Sequence, residues 1–480
     1  MFKDFADVEI DETRLFKSLI VDASTGKEYT AYDLEIYANQ IASGLYKDIS
    51  PKAKVAILSE NSYKYVSLYI GIRRLGLTPV LINVKMSSEQ IEKILDHSDA
   101  ELIFYENQFL EKIPEKIRKV NLDTDFESFL SNDPYSVLND DENRSAFIIY
   151  TSGSSGDPKG VVITTKSRKW LMKGFLSEDG KRQTVLISTP MYHMNGLTVI
   201  ERNLLNGSKI ILMSSFDEDL YIKSIVDYKV EVIPAVPPMM AMILKDQDRI
   251  QYLDFSKVSL ITLASAPTSP ELFKKIRNTF IRAKVRLQYG ITEVGPALFG
   301  SHPETKTYPE TSVGYPRDGI EYRIRDGVLQ VKSPAMLKGY YKRENTSLTE
   351  DGFFDTKDKF TVDRDGFYYF VGRSDDMFVS GGNNIFPNEV EEILEKNDNI
   401  LEASVIGLPD PIKGANPYAF VVKDKNSSLS EQDVKDFVLA NAPAYQHPRR
   451  VWFLDKMPLT ASNKIDKIRL ESMAKTYLNI

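Results

Sequence analysis

Hydrophobic and polar residues alternate with two different periods along the chain, and this pattern predicts strands and helices in turn. The runs KVAILSE (54–60), LTPVLINV (77–84) and AELIFY (100–105) have the length and composition of buried strands. Between them, residues 61–76 have helical spacing after a candidate cap at Asn61, and residues 87–99 have it after a serine cap. This β-α-β-α-β order predicts a doubly wound, mostly parallel sheet.

The same alternation returns further along the chain and then gives way to other patterns. Strands are predicted at VLIST, KIILM, VEVIPA and VSLITLA, between residues 185 and 263. From residue 312 to 370, short strand candidates separated by Gly and Asp turns indicate a small β module. Beyond residue 372 the pattern is α+β, and it includes a helix in which Asn388 and Glu391 match a capping box.

We therefore predict an α/β protein with two domains. Residues 1–374 form a large N-terminal domain of doubly wound, mostly parallel sheets plus the small β module, and residues 375–480 form a small α+β C-terminal domain. A chain of 480 residues is also too long for a single compact core.

Composition and charge narrow the class of protein. The net charge of -7 argues against a nucleic-acid-binding protein, which usually has a basic surplus. No apolar run approaches the roughly 18 residues of a transmembrane segment, and the acidic N-terminus does not resemble a secretory signal, so we predict a cytoplasmic protein. The chain contains no cysteine, so any thioester chemistry would need a thiol from another molecule.

The segment YTSGSSGDPKG (150–160) combines glycines, hydroxyls and a lysine, which suits it to binding phosphate. It is not a P-loop, because a β-branched run follows Lys159 where a P-loop would continue as a helix. The strands predicted on both sides make it a hairpin with a Gly/Ser-rich turn. On its own, such a turn is as readily a surface hairpin as an anion site.

Six further segments follow this loop in order: PMYHMNG (190–196), YGITE (289–293), DTKD (355–358), GRSDD (372–376), VSGGNNIFPNEVE (379–391) and PLTASNK (458–464). Together with the loop they resemble the adenylate-forming superfamily, which includes acyl- and aryl-CoA synthetases, firefly luciferase and nonribosomal adenylation domains. The resemblance runs from KEYTAYDL, near residue 27, to Lys464, and it is closest to acyl- or aryl-CoA ligases.

The resemblance implies a ligase that uses ATP, Mg²⁺ and coenzyme A. A carboxylic acid would attack the α-phosphate of ATP to give an acyl-adenylate and pyrophosphate, and a thiol would then displace AMP. Negative charge develops in both half-reactions, so positioned cations and hydrogen-bond donors would carry much of the catalysis. A mobile C-terminal domain would rebuild the site between the two half-reactions.

The roles of individual residues follow from the same resemblance. The expected ATP-binding residues are Thr151, Ser152, Gly153, Ser154, Ser155, Gly156, Lys159, Tyr289, Gly290, Thr292, Asp358 and Arg373. The expected catalytic residues are Lys464, Thr292, Glu293, Lys159 and His193, of which Glu293 would hold Mg²⁺. Asp375 would be the hinge, and Gly381 and Gly382 would let the pantetheine arm of CoA pass. The expected acyl pocket comprises His193, Ala264, Ser265, Ala266 and Pro267.

Three motifs depart from the family pattern. Lys357 stands where TGD has glycine, and because lysine takes a positive φ only at a cost, the turn that carries Asp358 is expected to differ. Asn463 stands where Ser-Gly-Lys has glycine, and asparagine tolerates the left-handed region best among other residues. Ala264 and Ser265 stand where Gly-Gly-Ala-Pro has two glycines, which predicts a narrower pocket for a compact or flat acid, aromatic or short- to medium-chain.

Two alternatives to a CoA ligase remain open at this point. One is a stand-alone adenylation enzyme that loads an aryl or fatty acid onto the pantetheine of an acyl carrier protein. An amino-acid substrate is disfavoured, because PMYHMNG contains no acidic residue to hold an ammonium group. The other is a degenerate nucleotide-binding protein, for which the changed TKD and SNK motifs would be signs of decay.

Overall fold

The computed structural model describes residues 19–152, 158–176, 182–245, 247–266, 268–304, 306–344, 347–425, 427–460 and 464–478. Among these residues, the N-terminal part contains two large sheets and the expected β module. The C-terminal part contains a separate small sheet. The α/β class, the parallel sheets and the smaller C-terminal domain predicted from the sequence are confirmed.

The first large sheet has the strand order β13-β12-β11-β9-β10-β1-β2 within the described residues. All neighbouring strands are parallel except the β1–β2 pair. The strands are β1 Leu19–Asp22, β2 Glu28–Thr30, β9 Thr184–Ile187, β10 Lys209–Leu212, β11 Val232–Ala235, β12 Leu260–Ala264 and β13 Lys284–Gln288.

The second large sheet has the order β18-β8-β7-β4-β3-β5-β6 over the same parts of the chain. Its parallel centre is apolar, as both-sided burial requires, and β7, β8 and β18 add an antiparallel edge. The strands are β3 Lys54–Leu58, β4 Thr78–Leu81, β5 Ala100–Tyr105, β6 Arg118–Asn121, β7 Ser145–Ser152, β8 Pro158–Thr164 and β18 Gly339–Tyr340.

Helices cover the faces of these sheets and of the C-terminal sheet. They are α1 Ala31–Tyr46, α2 Tyr63–Arg74, α3 Ser88–Ser98, α4 Phe126–Phe129, α5 Thr165–Lys173, α6 Met194–Leu205, α7 Glu218–Asp227, α8 Pro237–Leu244, α9 Gln247–Ile250, α10 Pro270–Thr279, α11 Pro387–Glu395, α12 Glu431–Asn441 and α13 Lys467–Leu478, with 3₁₀ turns at Asn107–Lys112 and Ala444–Gln446. No helix of the described chain has the length and apolarity needed to cross a membrane.

The β module and the C-terminal sheet are largely antiparallel. The module contains β16 Glu321–Arg325, β17 Val328–Lys332, β19 Phe354–Val362 and β20 Tyr368–Arg373, beside a short pair, β14 Phe299–Gly300 and β15 Tyr315–Pro316. The C-terminal sheet contains β21 Phe378–Ser380, β22 Asn383–Ile385, β23 Ile400–Asp410, β24 Gly414–Lys423 and β25 Val451–Phe453. Its apolar side packs against α11 and α12, which gives this part of the chain a core of its own.

Two predicted helix caps were wrong. Ser62, not Asn61, caps α2, and the Asn61 amide instead bonds the backbone oxygens of Thr189 and Met213 at 3.0 and 3.2 Å. Helix α11 begins at Pro387, so Asn388 is already inside its first turn. Asn388 donates to the Val371 carbonyl and Glu391 accepts from Val405 N, so neither side chain caps the helix.

A buried ionic network fixes α6 against α2 and α5. Glu201 on α6 is 1% exposed and accepts hydrogen bonds from Arg168 Nε at 2.6 Å and Arg73 Nη1 at 3.1 Å. The Tyr69 hydroxyl donates to the same carboxylate at 2.8 Å. Because charge-assisted hydrogen bonds are strong, this network holds α6 in one position. Helix α6 follows directly after His193, so its position also determines where that residue lies.

Candidate active site

The predicted glycine-loop hairpin is present. Strands β7 and β8 are antiparallel, and Thr151 is paired with Lys159 in their register. Both residues are half-buried. Four of the predicted phosphate-binding residues, Gly153, Ser154, Ser155 and Gly156, lie outside the described residues, and Ser152 is described by its backbone alone.

Glu293 is connected to this hairpin through a tyrosine that the sequence did not single out. Strand β18 adds to the edge of β8 and pairs Tyr340 with Val161. From there the Tyr340 hydroxyl donates to Glu293 Oε1 at 3.1 Å, and Lys159 Nζ lies 5.8 Å from the centroid of the Tyr340 ring. Glu293 and Lys159 therefore lie on two sides of one aromatic side chain. No local sequence signal identifies Tyr340, because its role depends on a long-range strand pairing.

Tyr289, Asp358 and Arg373 form a second connected group. The Tyr289 hydroxyl donates to Asp358 Oδ2 at 2.5 Å, and Arg373 Nη1 donates to Asp358 Oδ1 at 3.0 Å. Asp358 on β19 is paired directly with Arg373 on β20, and its side chain is 3% exposed. The Tyr289 ring packs against Phe360 and Phe370, with centroids 4.8 and 6.4 Å apart, and the residue remains half-buried.

The segment that carries Asp358 differs from the predicted turn. Residues 356–358 lie inside β19, where the pairing register with β17 shifts, and Lys357 itself adopts φ 63°. Lysine therefore takes here the positive φ that favours glycine. The Ser374 hydroxyl and amide both donate to the Lys357 carbonyl, at 2.6 and 2.8 Å, which holds this conformation in place.

Burial and charge set the ionisation of this group. Desolvation raises the pKa of Asp358 to about 6, against the opposing effect of Arg373, the Tyr289 hydrogen bond and Lys464. Burial also raises the pKa of Tyr289 well above its usual range, and the Asp358 charge raises it further. Asp358 thus titrates close to neutrality although a guanidinium lies beside it.

Lys464 lies beside the same carboxylates. The residue keeps considerable solvent exposure, yet the walls of the cleft lower the pKa of its ammonium by desolvation. Asp358 and Glu293 act to raise that pKa and Arg373 acts to lower it. Lys464, Asp358, Arg373 and Glu293 therefore lie within electrostatic range of one another, and we call the space between them the cleft. Ser462 and Asn463, which precede the lysine, lie outside the described residues.

The residues predicted for the acyl pocket come from two elements. Ala264 ends β12, Ala266 follows it, and both are half-buried, whereas Pro267 lies outside the described residues. Ser265 has φ 74°, a conformation that favours the glycine of the family pattern. His193 immediately precedes α6, and its ring meets that of Tyr192 edge-on at 4.8 Å. Thr292 and Gly290 lie in the half-buried loop after β13, on which Glu293 also lies.

The predicted hinge and CoA residues lie in the segment after β20. Asp375 is exposed and accepts a hydrogen bond from Arg373 Nη2 at 3.2 Å. Gly381 and Gly382 form the two-residue turn between β21 and β22 with φ 57° and 84°, as a type I′ turn requires. A Cβ added to either glycine would meet no atom within 4 Å, so space is open beside both. The turn geometry alone accounts for these glycines.

Two family models match the chain. The model described as "AMP-binding enzyme" matches residues 6–341, and the model described as "AMP-binding enzyme C-terminal domain" matches residues 389–464. The chain belongs to the AMP-binding enzyme family. The family resemblance drawn from the seven motifs is thus confirmed.

Individual members of the AMP-binding enzyme family match over nearly their whole length. A 2-succinylbenzoate–CoA ligase of Bacillus velezensis is 29% identical over 94% of this chain and 95% of its own. A 4-coumarate–CoA ligase-like protein of Arabidopsis thaliana is 26% identical over 92% of this chain and 88% of its own. An anthranilate–CoA ligase solved with anthranoyl-AMP has the same fold, with a TM-score of 0.87 and 23% identity over 98% of this chain and 96% of that one.

Proposed function

We propose that this AMP-binding enzyme is an ATP-dependent carboxylate–CoA ligase. It activates an aromatic or short- to medium-chain acid as acyl-AMP, releases pyrophosphate, and transfers the acyl group to the thiol of CoA. The observation that carries the proposal is the convergence of Lys464, Asp358, Arg373 and Glu293 on one cleft. These four residues come from separate elements of the chain.

In the first half-reaction, the chain binds and orients ATP. Asp358 accepts hydrogen bonds from the ribose hydroxyls, and Arg373 stabilises its charge. The half-buried Tyr289 ring lies against the adenine, while Thr151 and Lys159 face the departing phosphates from the hairpin. Lys464 places a cation at the carboxylate and the α-phosphate, where negative charge develops.

The acid carboxylate attacks the α-phosphorus, and the bond to the bridging oxygen of pyrophosphate breaks. Thr292 donates a hydrogen bond to the α-phosphate, and His193 borders the acid. The chain needs no general base for this step, because the nucleophile is already an anion. Catalysis by these residues is therefore positioning and charge stabilisation.

Glu293 is the residue that would hold Mg²⁺. The described residues contain no group of three acidic, histidine or cysteine side chains able to hold a metal on their own. A single carboxylate fits Mg²⁺, which is commonly bound by one or two carboxylates together with substrate phosphates. The ion would neutralise charge on the phosphates.

The second half-reaction needs a different arrangement of the same domains. Lys464 occupies the cleft and must leave before a thiol can approach the acyl-adenylate. We propose that residues 375–480 rotate about Asp375 relative to residues 1–374, and that the open turn at Gly381 and Gly382 then borders the pantetheine arm. The Arg373–Asp375 hydrogen bond would break in that rotation.

Pyrophosphate release from ATP tests the proposal across a panel of benzoates, cinnamates, short acids, and fatty acids of increasing length. Each acid is assayed with and without CoA, and the products are identified by mass. Release accompanied by an acyl-CoA establishes the ligase and its substrate class. Release that stops at the acyl-adenylate identifies an acyl carrier protein as the acceptor. ATP binding without release for any acid would overturn the proposal in favour of a degenerate nucleotide-binding protein.

A further inference from the structure

One face of α6 is less deeply buried than the rest of the helix. Most residues from Met194 to Leu205 are buried, but Asn195 and Arg202 are half-exposed. They are seven residues apart, which is close to two helical turns, so they lie on the same face. This face carries Arg202. The other charged residue of α6, Glu201, pairs with Arg168 and Arg73 in the buried network.

A second arginine approaches Arg202 across an aromatic ring. The guanidinium carbons of Arg202 and Arg317 lie 5.8 and 5.0 Å from the centroid of the Phe175 ring. Arg317 is held by two backbone carbonyls, with Nη1 3.2 Å from Ala297 O and Nη2 3.0 Å from Gly174 O. Both arginines are half-buried. Two cations therefore share one small, partly desolvated region.

This pair has no acid to balance it among the residues that the structure describes. Arg168 and Arg73 both pair with Glu201, whereas neither Arg202 nor Arg317 forms an ion pair with a described carboxylate. Burial lowers the pKa of Arg202, and the neighbouring Arg317 lowers it further. Like charges brought together in a region of low dielectric are costly unless an anion joins them.

The pair lies at the far end of the elements that form the acid site. His193 precedes α6, and Arg202 is nine residues further on, roughly 13 Å along the helix axis. Arg317 bonds Ala297, which lies in the loop after Glu293, and this loop is tied to Tyr289 by the Leu298 N to Tyr289 O hydrogen bond of 2.9 Å. Arg202 and Arg317 are thus joined to the acid site through α6 and through the loop that carries Glu293 and Ala297.

We infer that Arg202 and Arg317 bind a second anionic group on the acid, so that the preferred substrate is a dicarboxylic acid. This inference rests on the proposed function and names its substrate class. One carboxylate is activated beside Lys464 and His193, and the other is held by the two guanidinium groups at the Phe175 end. The pair also closes that end of the space to a long alkyl chain, because such a chain would have to bury two unpaired cations.

Pyrophosphate exchange without CoA tests the inference, because it isolates the acid from any anionic group of CoA. The probes are matched pairs: glutarate to suberate, isophthalate and 2-succinylbenzoate, each beside its monomethyl ester. We expect at least a tenfold higher kcat/KM for the best diacid than for its ester. Arg202→Gln should remove about 10- to 100-fold of kcat/KM for the diacid while changing the ester less than about threefold. Arg202→Lys should restore part of the preference.

Direct binding keeps this test separate from that of the ligase activity. The shift in thermal unfolding midpoint with each diacid and ester is measured for the wild type, Arg202→Gln, Arg317→Gln and the exposed control Arg325→Gln. Stabilisation by a diacid that both pocket variants lose supports the inference even where no exchange is detected. Equal behaviour of diacid and ester in the wild type, or an equal loss for both in Arg202→Gln, overturns it. An effect of Arg202→Gln confined to the CoA-dependent step would overturn it as well.

Discussion

The Tyr289 hydroxyl donates a 2.5 Å hydrogen bond to Asp358, and this bond joins the loop that carries Glu293 to the strand that is paired with Arg373. Tyr289 thereby presents its ring to the cleft while its hydroxyl adjusts the charge of the carboxylate next to it. The bond opposes the rise in the pKa of Asp358 that burial causes. We therefore predict that the binding of adenine by Tyr289 and the binding of ribose by Asp358 depend on each other.

The first prediction concerns the pH dependence of ATP use. The pKa of Asp358 is raised to about 6, so the carboxylate becomes protonated in the free enzyme as the pH falls through that value. A protonated Asp358 loses an acceptor for the ribose hydroxyls, so kcat/KM for ATP should fall about tenfold per unit below pH 6. Because the Tyr289 hydrogen bond lowers this pKa, Tyr289→Phe should move the break to higher pH.

The measurement is a profile of kcat/KM for ATP between pH 5 and 8 for each enzyme. Asp358→Asn should be slow throughout and should lack the break, whereas the exposed control Asp318→Asn should keep the wild-type profile. A break in Asp358→Asn at the same pH as in the wild type would assign the titration to another group.

The second prediction separates the two half-reactions at Lys464. Lys464→Ala should reduce acyl-adenylate formation by about 10²- to 10³-fold, because a cation is removed from the position where charge develops. Thioester formation from a preformed acyl-adenylate and CoA should change less than about threefold, since the lysine is out of the cleft in that step. Both rates are measured by single-turnover mass analysis, with the exposed Lys456→Ala as the control. Equal losses in both steps would contradict the proposed domain rotation.

The third prediction concerns the network that fixes α6. Glu201→Gln leaves the buried Arg168 without its full counter-charge, so the free energy of unfolding should fall by about 3 to 5 kcal/mol. Denaturant unfolding measures this loss. Glu89→Gln is the matched control, because Glu89 forms only an exposed pair with Lys93 and should cost no more than about 0.5 kcal/mol. A similar small cost at Glu201 would mean that packing alone holds α6.

Local patterns in the sequence predicted most of the fold and supplied the candidate residues of the site. Periodicity identified the central strands of both sheets, because buried parallel strands read as short β-branched runs, but it did not identify β1, β2, β6, β13 or β18. The cap prediction failed at Asn61. The Ser62 hydroxyl caps α2, and the Asn61 amide bonds Thr189, which is far away in the sequence. Long-range contacts of this kind leave no mark on local sequence.

The same limit explains what was missed in the site. Tyr340 reaches Glu293 only because β18 adds to the edge of β8, and that pairing joins residues far apart in the sequence. Arg202 and Arg317 likewise meet only across Phe175. At Lys357 the rule against positive φ was outweighed by two hydrogen bonds from Ser374 to the Lys357 carbonyl. Chemical groups could be predicted from motifs, but their neighbours required the fold.

The last prediction concerns stability between pH 5 and 8. Glu395 on α11 and Glu402 on β23 are carboxyls whose pKa values burial raises to about 7 and about 8, and the charge of Glu395 raises the pKa of Glu402 further. A raised pKa means that the folded protein holds these protons more tightly than the unfolded chain, so the contribution of the two carboxyls to stability is full below about pH 4.5 and is lost as the pH rises to about 8. Glu402→Gln should therefore flatten the decline in the thermal unfolding midpoint and raise the midpoint at pH 8, whereas the exposed Glu471→Gln should leave the curve unchanged. A wild-type midpoint that is constant or rising from pH 5 to 8, with the same slope in Glu402→Gln, would show that these carboxyls are ionised and solvated in the folded protein.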